Sequence, residues 1–168
     1  MERIVYVNGE FNPQSEAKIS VFDRGFIFGD GVYEVVPVIN GKLVDKKYFL
    51  ERLGRSLSEI SIDWPCSQDQ YIDVMEQLIL KNKLTEGVVY SQVTRGIAER
   101  DFPFPKDTAP SLVAFTTVMT LLNNPAAETG IAVITTTVSY THLTLPTKRI
   151  VQIVGHVTEL TTKDINTV

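Results

Sequence analysis

A glycine-rich segment at residues 23–36, with the sequence DRGFIFGDGVYEVV, is the densest group of residues that could do chemistry. Its three glycines lead into a predicted strand that begins with Tyr33. Glycine has no Cβ, so these positions let backbone approach a ligand or another strand closely. The segment lacks the lysine and hydroxyl of a nucleoside triphosphate loop and the spacing of a dinucleotide-binding fingerprint. Taken alone, it is most simply explained as a bulged turn.

Three arginines are candidates for holding an anionic group. Arg52 falls on a predicted helix, and its guanidinium can donate two parallel hydrogen bonds to a phosphate. The alternative is a solvated helix face on which Arg52 pairs with Glu51 or Glu59. Arg95 and Arg100 flank a turn after a predicted strand, and the proline-rich loop that follows could hold an arginine against a substrate carboxylate. A packed surface loop explains that pattern equally well.

Two amphipathic helices are expected to position these groups. The first runs from Lys46 to Ile60, where apolar residues recur at helical spacing. Its apolar positions are Leu50, Leu53, Leu57 and Ile60. The second begins at Ser67, because Ser67 and Gln70 have capping-box spacing, and it frays near Asn82. Its expected buried stripe consists of Tyr71, Val74, Met75, Leu78 and Ile79.

Strands are expected on both sides of the helices in sequence. Residues 4–7 lead into an Asn-Gly dipeptide, which accepts the positive backbone angles of a hairpin turn. Residues 88–94 and 112–118 are rich in β-branched and aromatic side chains, and a further strand is expected at 131–134. A hairpin, two helices and more strands indicate an α+β fold, in which helices cover one face of an antiparallel sheet.

Composition narrows the classes of function. The chain has 168 residues, of which 43% are hydrophobic, and this suffices for one ordinary core. A formal net charge of −4 without Lys/Arg clusters argues against nucleic acid or an anionic membrane as partner. No apolar run approaches the roughly 20 residues of a membrane span, and the start has no signal-peptide pattern. Cys66 is the only cysteine, so an intrachain disulfide is excluded, and a cytoplasmic protein is expected.

Together, these motifs resemble the class IV pyridoxal-phosphate-dependent aminotransferases, in the form found in D-amino-acid transaminases. The matching segments are residues 23–36, FLERL at 49–53, YSQVTRG at 90–96 and RDFPFP at 100–105. The resemblance is collinear from about residue 3 to about residue 134. It implies the family's small domain at residues 1–118, and an interdomain linker with the first strand of the larger domain at 119–134. The rest of the larger domain is expected to be missing.

The resemblance implies a role for individual residues. Arg52 would bind the cofactor phosphate, and Tyr33 and Val35 would line the substrate pocket. Tyr90 and Arg100 would receive the substrate carboxylate. The implied cofactor is pyridoxal 5′-phosphate, and the implied partners are an amino acid, a 2-oxo acid and a second copy of the chain. In related dimers the arginine loop reaches into the neighbouring subunit's site.

Substrate preference within this branch stays open because of Phe102. Many D-amino-acid members carry histidine two residues after the carboxylate arginine, where this chain has Phe102. A phenyl ring cannot donate the hydrogen bond that an imidazole can.

Transamination with this cofactor needs a lysine that forms a Schiff base and moves protons. Lys148 lies near the expected distance along the chain, but the surrounding sequence differs from the family's pattern. Residues 135–168 are therefore expected to be a non-family tail, chimeric or disordered. Ten of these 34 residues are Thr, and residues 138–147 resemble a translated sequencing adapter.

The tail also contains the residue types of a hydrolase triad or a metal site. These residues are Ser139, His142, His156 and Asp164. Nothing in their spacing supports either interpretation, because such sites are recognised by geometry and motif context.

Several functions remain open from sequence. The first is D-alanine-type transamination by the parent family, with this chain inactive for lack of the Schiff-base lysine. The second is a non-catalytic fragment that exposes apolar surface and aggregates. The third is an aminodeoxychorismate lyase or a branched-chain aminotransferase of the same fold. Arg100 and the strand VYEVV argue against the lyase.

Overall fold

The computed structural model of the chain describes residues 2–123, 126–136 and 150–153. The chain divides into two compact units, Met1–Leu121 and Leu122–Val168. The first unit has six strands, β1 (Ile4–Val7), β2 (Glu10–Pro13), β3 (Gly31–Ile39), β4 (Lys42–Leu43), β5 (Glu86–Thr94) and β6 (Ser111–Val118). It also has three helices, α1 (Arg24–Phe28), α2 (Lys46–Glu59) and α3 (Gln68–Lys81).

The second unit has a short helix, α4 (Ala126–Thr129), and an antiparallel strand pair, β7 (Val133–Thr136) and β8 (Ile150–Ile153). The strand predicted at 131–134 therefore begins two residues later than expected. Among the described residues, no helix has the length and apolarity needed to cross a membrane.

The six strands of the first unit form one antiparallel sheet in the order β2-β1-β6-β5-β3-β4. Asn8 and Gly9 have φ angles of 46° and 106°, which confirms the predicted hairpin turn. The strands predicted at 88–94 and 112–118 are confirmed as β5 and β6, and these pair along their length.

Two asparagine side chains help to hold β1 in the sheet. Asn8 Oδ1 accepts a hydrogen bond from the Leu112 amide at 2.7 Å, across 104 residues of sequence. Asn82 Oδ1 accepts from the Ile4 amide at 2.7 Å, and Asn82 Nδ2 donates to the Ile4 carbonyl at 2.8 Å. The Asn82 bonds satisfy both backbone groups of Ile4 at the start of β1, and the Asn8 bond satisfies the Leu112 amide near the start of β6.

Helix α3 has the predicted beginning, end and buried face. Ser67 Oγ accepts from the Gln70 amide at 3.2 Å, and Gln70 Oε1 accepts from the Ser67 amide at 3.1 Å, so the capping box is confirmed. All five residues of the predicted stripe are buried, and Asn82 is the carboxyl-terminal cap.

Helix α2 has nearly the predicted bounds but a different buried stripe. Its buried residues are Phe49, Leu53 and Leu57, whereas the predicted Leu50 and Ile60 are only half-buried. Spacing of four residues places Phe49, Leu53 and Leu57 on one side of the helix, toward the sheet.

The two faces of the sheet differ, and the predicted α+β arrangement is confirmed. Helices α2 and α3 cover one face and share one hydrophobic core with it. The sheet contributes Val36, Val38, Val89, Val93, Leu112 and Ala114 to this core. Burying a side chain the size of valine or leucine contributes about 1.5–3 kcal/mol. Neither α2 nor α3 covers the opposite face, where Tyr33 and Val35 are exposed.

Candidate functional site

The glycine-rich segment folds as a capped helical turn, so its interpretation as a bulged turn is wrong. Asp23 is the amino-terminal cap of α1, and its Oδ1 accepts from the Gly25 amide at 2.8 Å. Gly29 ends the helix in the left-handed conformation at φ 66°, which glycine adopts without strain. Strand β3 therefore begins at Gly31, two residues before Tyr33.

Gly25 and Gly31 confirm that the segment needs close backbone approach. A Cβ on Gly25 would lie 2.2 Å from Thr94 Cγ2, and one on Gly31 would lie 2.6 Å from the Val93 carbonyl oxygen. Both distances are shorter than packed carbon and oxygen atoms tolerate. The neighbour is β5, so these glycines fix the helical turn against the end of that strand.

Asp30, Arg24 and Arg95 form a buried group, named here the Asp30 cluster. Asp30 Oδ2 accepts from Arg24 Nε and from Arg95 Nε, each at 2.8 Å, and Oδ1 accepts from Arg95 Nη2 at 3.0 Å. Arg95 also donates to two backbone carbonyls just after α2, at 2.7 and 2.8 Å. Arg24 donates to the carbonyl of Asp101 at 2.9 Å.

Electrostatics stabilise the charged form of Asp30. Burial raises the pKa of its carboxyl, but the hydrogen bonds and charges of Arg95 and Arg24 outweigh burial and hold that pKa below its usual value. Arg95 is 7% exposed and uses its donors on Asp30 and backbone carbonyls. Arg95 is therefore part of the scaffold.

Arg100 and Phe102 lie on the loop between β5 and β6. The guanidinium of Arg100 lies 5.6 Å from the centre of the Phe28 ring and 5.5 Å from that of Phe102, within cation–π range. Phe102 is 76% exposed. Among the described residues, no hydrogen bond or ring contact joins Arg100 to Tyr90. Their shared role at a substrate carboxylate stays a prediction.

Tyr33, Val35 and Tyr90 come together on the open face of the sheet. The Tyr33 and Tyr90 rings stack at 5.6 Å, and Tyr90 stacks on Phe115 at 4.8 Å. Val35 lies opposite Tyr90 in the strand register. The Tyr90 hydroxyl donates to Gln92 Oε1 at 3.0 Å. Burial, together with the neighbouring Tyr33, raises the pKa of Tyr90, which therefore remains a hydrogen-bond donor at neutral pH.

Arg52 pairs with Glu34, and the expected alternatives Glu51 and Glu59 are wrong as partners. Arg52 Nε donates to the two carboxylate oxygens of Glu34 at 2.8 and 3.0 Å, and Nη2 also donates to Oε2. The Glu34 side chain is 6% exposed, whereas that of Arg52 is 53% exposed. Hydrogen bonding to Glu34, and then its charge, raises the pKa of Arg52. No described residue accepts a hydrogen bond from Nη1, so this end of the guanidinium is available to an anion.

Strand β3 separates the two candidate regions. Over residues 31–37 it pairs with β5 on one side, and β4 pairs only with its last two residues. Successive side chains of a strand point to opposite faces, so Glu34 faces the helices while Tyr33 and Val35 face the open side. The predicted phosphate arginine and the predicted substrate-pocket residues therefore lie on opposite sides of β3.

Sequence reasoning missed Glu34 and Asp30. Val36 and Val38 belong to the core, so a period of two places Glu34 on the same covered face, where a charge needs a partner. That signal was available once β3 was recognised. Asp30 has no comparable signal, because its partners lie 6 residues before it and 65 residues after it.

The remaining candidates lie outside the described residues. These are Lys148, Ser139, His142, His156 and Asp164. Among the residues that the structure describes, no group of three or more His, Cys, Asp or Glu side chains could hold a metal ion.

Comparison with known proteins identifies the family. Residues 31–159 match the family model described as amino-transferase class IV. The chain therefore belongs to the class IV aminotransferases, which confirms the predicted resemblance. The matched range continues past residue 134, and the predicted divisions at residues 118 and 134 stay predictions.

Individual relatives within the family are D-alanine aminotransferases. The chain is 45% identical over 117 residues to a D-alanine aminotransferase of Staphylococcus aureus (strain MSSA476), covering 69% of this chain and 41% of the relative. It is 37% identical over 112 residues to a D-alanine aminotransferase of Bacillus licheniformis, covering 67% and 40%. The chain thus spans about two-fifths of the length of these relatives.

Solved structures share the fold. A branched-chain amino acid aminotransferase of Escherichia coli aligns with a TM-score of 0.67 at 17% identity, over 76% of this chain and 43% of the other. A 4-amino-4-deoxychorismate lyase of Pseudomonas aeruginosa aligns with a TM-score of 0.59 at 24% identity, over 76% and 44%. At these identities the likeness concerns the fold alone.

Proposed function

We propose that the chain contributes the small domain of a cytoplasmic, homodimeric aminotransferase that uses pyridoxal 5′-phosphate to exchange amino groups between D-amino acids and 2-oxo acids. The observation that carries this proposal is the half-exposed guanidinium of Arg52 beside the strand that bears Tyr33 and Val35. Identity of 45% to a D-alanine aminotransferase favours D-alanine as a substrate.

The donor chemistry of Arg52 fits the cofactor's phosphate. Glu34 occupies the Nε side of the guanidinium, so Nη1 and the second hydrogen of Nη2 remain as a pair of donors. Two parallel N–H donors match two oxygens of a phosphate. When bound, pyridoxal 5′-phosphate would act as an electron sink for the substrate's α-carbon.

On the open face, Tyr90 and Arg100 supply the donors for a substrate carboxylate. The neutral phenol of Tyr90 can turn its single O–H from Gln92 to the carboxylate, and the guanidinium of Arg100 supplies the charge. Arg100 stands on an exposed loop beside Phe28 and Phe102, away from hydrogen-bonding contact with Tyr90 in the described part of its own chain. This placement favours donation of Arg100 to the site of a second copy. Phe102 adds ring surface there but no donor.

Handedness of the substrate can be tested by binding. The full chain should bind N-(5′-phosphopyridoxyl)-D-alanine more tightly than the L-alanine form in calorimetric titration. A preference for the L form would contradict the proposed D-amino-acid function and support the branched-chain alternative.

We also propose that Lys148 does not serve as the Schiff-base lysine and that this chain alone is inactive, because the sequence around Lys148 differs from the family's pattern. The chain is to be mixed with pyridoxal phosphate, reduced with borohydride and mapped by peptide mass spectrometry. Scattered, substoichiometric labelling of surface lysines supports the proposal. A stoichiometric label on Lys148 would contradict it.

A further inference from the structure

We propose that Glu34 is a positioning residue that orients Arg52 toward the cofactor phosphate, an inference that rests on the proposed phosphate-binding role of Arg52. Glu34 is buried under α2, and its carboxylate engages only the Nε and Nη2 side of the guanidinium. The pairing leaves the Nη1 end as the side from which an anion can be bound.

Pairing with Glu34 restricts a flexible side chain before the ligand arrives. A free arginine side chain loses much rotamer freedom when it binds an anion. Two hydrogen-bonded nitrogens fix the plane of the guanidinium, so less freedom is lost on binding. The half-exposed Arg52 thereby keeps a defined direction although its surroundings are partly solvent.

The pairing of β3 with β5 fixes the backbone position of Glu34. Glu34 lies directly opposite Ser91 in the pairing of β3 with β5. Ser91 is buried, and its Oγ accepts from the buried Tyr71 hydroxyl at 2.7 Å. Burial raises the pKa of Tyr71, and the nearby charge of Glu34 adds to this effect, so the phenol stays neutral. On the core side the carboxylate therefore lies near two buried, uncharged groups, Ser91 and Tyr71, which are hydrogen-bonded to each other.

The register of β3 then links the two halves of the proposed site. Tyr33 and Val35 flank Glu34 in sequence and point to the opposite face. Any shift of the strand that moves the proposed substrate-pocket residues also moves the carboxylate that holds Arg52. Strand β3 thus fixes the positions of both the arginine proposed to bind phosphate and the residues proposed to line the pocket.

The direction in which one substitution changes anion affinity distinguishes a positioning role from simple electrostatics. Removing the negative charge of Glu34 should strengthen the binding of an anion if only charge mattered. If Glu34 positions Arg52, Glu34→Gln should weaken anion binding by about tenfold. The probe is pyridoxamine 5′-phosphate, which has no aldehyde to react with surface lysines, compared with pyridoxamine by calorimetric titration of the full chain.

Two further variants make the outcomes distinguishable. Arg52→Lys tests the proposed function and should abolish most of the preference for the phosphorylated ligand. Glu51→Gln removes the same charge from the neighbouring exposed residue and should leave affinity unchanged or slightly higher. If Arg52→Lys loses the preference while Glu34→Gln retains or increases it, the positioning role is overturned and the proposed function stands. If the unaltered chain shows no preference, both are overturned.

A measurement on the unaltered chain guards against misfolding of the buried Glu34 variant. In NMR spectra, inorganic phosphate should shift the Nη signals of Arg52 while its Nε–H remains protected from solvent exchange by Glu34. Loss of Nε–H protection on adding phosphate would show that the anion displaces Glu34, and this would overturn the positioning role.

Discussion

Two arginine–carboxylate sites in this chain share their chemistry and differ in exposure. In the Asp30 cluster the side chains of Arg24, Arg95 and Asp30 are only 4%, 9% and 10% exposed. In the Glu34–Arg52 pair the carboxylate is 6% exposed but the arginine is 53% exposed. Backbone carbonyls take up further donors of Arg24 and Arg95, whereas Arg52 keeps an end open to solvent.

This difference indicates which arginine serves structure and which can serve a ligand. A buried arginine that donates both to a carboxylate and to backbone carbonyls joins segments that are distant in sequence, here α1, the end of α2 and the loop after β5. A half-exposed arginine held by one buried carboxylate has a fixed direction and unused donors. Exposure of the guanidinium, rather than the presence of an ion pair, separates the two roles.

The largest effect is expected from Asp30→Asn, which leaves two buried arginines without a carboxylate. Breaking a buried ion pair in this way costs about 3–5 kcal/mol of unfolding free energy. Urea denaturation of the full chain measures the loss. Asp63→Asn, the same change at an exposed residue, serves as the control and should stay within about 0.5 kcal/mol. A loss below about 1 kcal/mol for Asp30→Asn would show that the cluster is not a structural joint.

Acid should remove part of the same stabilisation. The folded-state pKa of Asp30 lies below its usual value, so its contribution is present above the unfolded pKa of about 3.9 and is lost as pH falls through the folded pKa. The difference in stability between the unaltered chain and Asp30→Asn should therefore shrink below about pH 4. Urea midpoints measured at several acidic pH values check this, and a constant difference would contradict it.

Glu34→Gln should destabilise the fold less than Asp30→Asn does. Arg52 is half-exposed, so water can solvate its guanidinium when the carboxylate is replaced by an amide. A loss of about 1 kcal/mol is expected, typical of one net hydrogen bond. A loss of unfolding free energy as large as that of Asp30→Asn would show that the two sites do not differ in this way.

The smallest effect is expected at the surface pair of Lys47 and Glu51 on α2. Their atoms lie 3.8 Å apart, and the side chains are 80% and 60% exposed. Lys47→Gln should change stability by no more than about 0.5 kcal/mol, because exposed pairs are screened by solvent. A larger change would mean that exposure does not rank these ion pairs.

Sequence alone predicted most of the secondary structure, for local reasons. Helix α3 could be predicted in full, since Ser67, Gln70 and the apolar spacing all lie within one short segment. The turn at Asn8 and Gly9 has an equally local signal. Helix α1 could not be predicted, because five residues are too few for an apolar period to show.

The candidate site was predicted only in part, because its contacts are non-local. Tyr33, Val35 and Tyr90 came from the resemblance, and the structure places them together on one face. The pairing of Arg52 with Glu34 needs the packing of α2 on β3, which no local pattern specifies. The position of β1 beside β6 is likewise a matter of tertiary structure.

The position of β1 between β2 and β6 has a consequence for folding during synthesis. The hairpin of β1 and β2 is made first, but its partner β6 begins 104 residues after the end of β1, at Ser111. At about 5–20 residues per second, the ribosome delivers β6 roughly 5–20 s later. A two-stranded hairpin alone is marginally stable in water. For that interval β1 lacks the strand that pairs with its second edge, and nascent-chain chaperones and proteases can reach that edge.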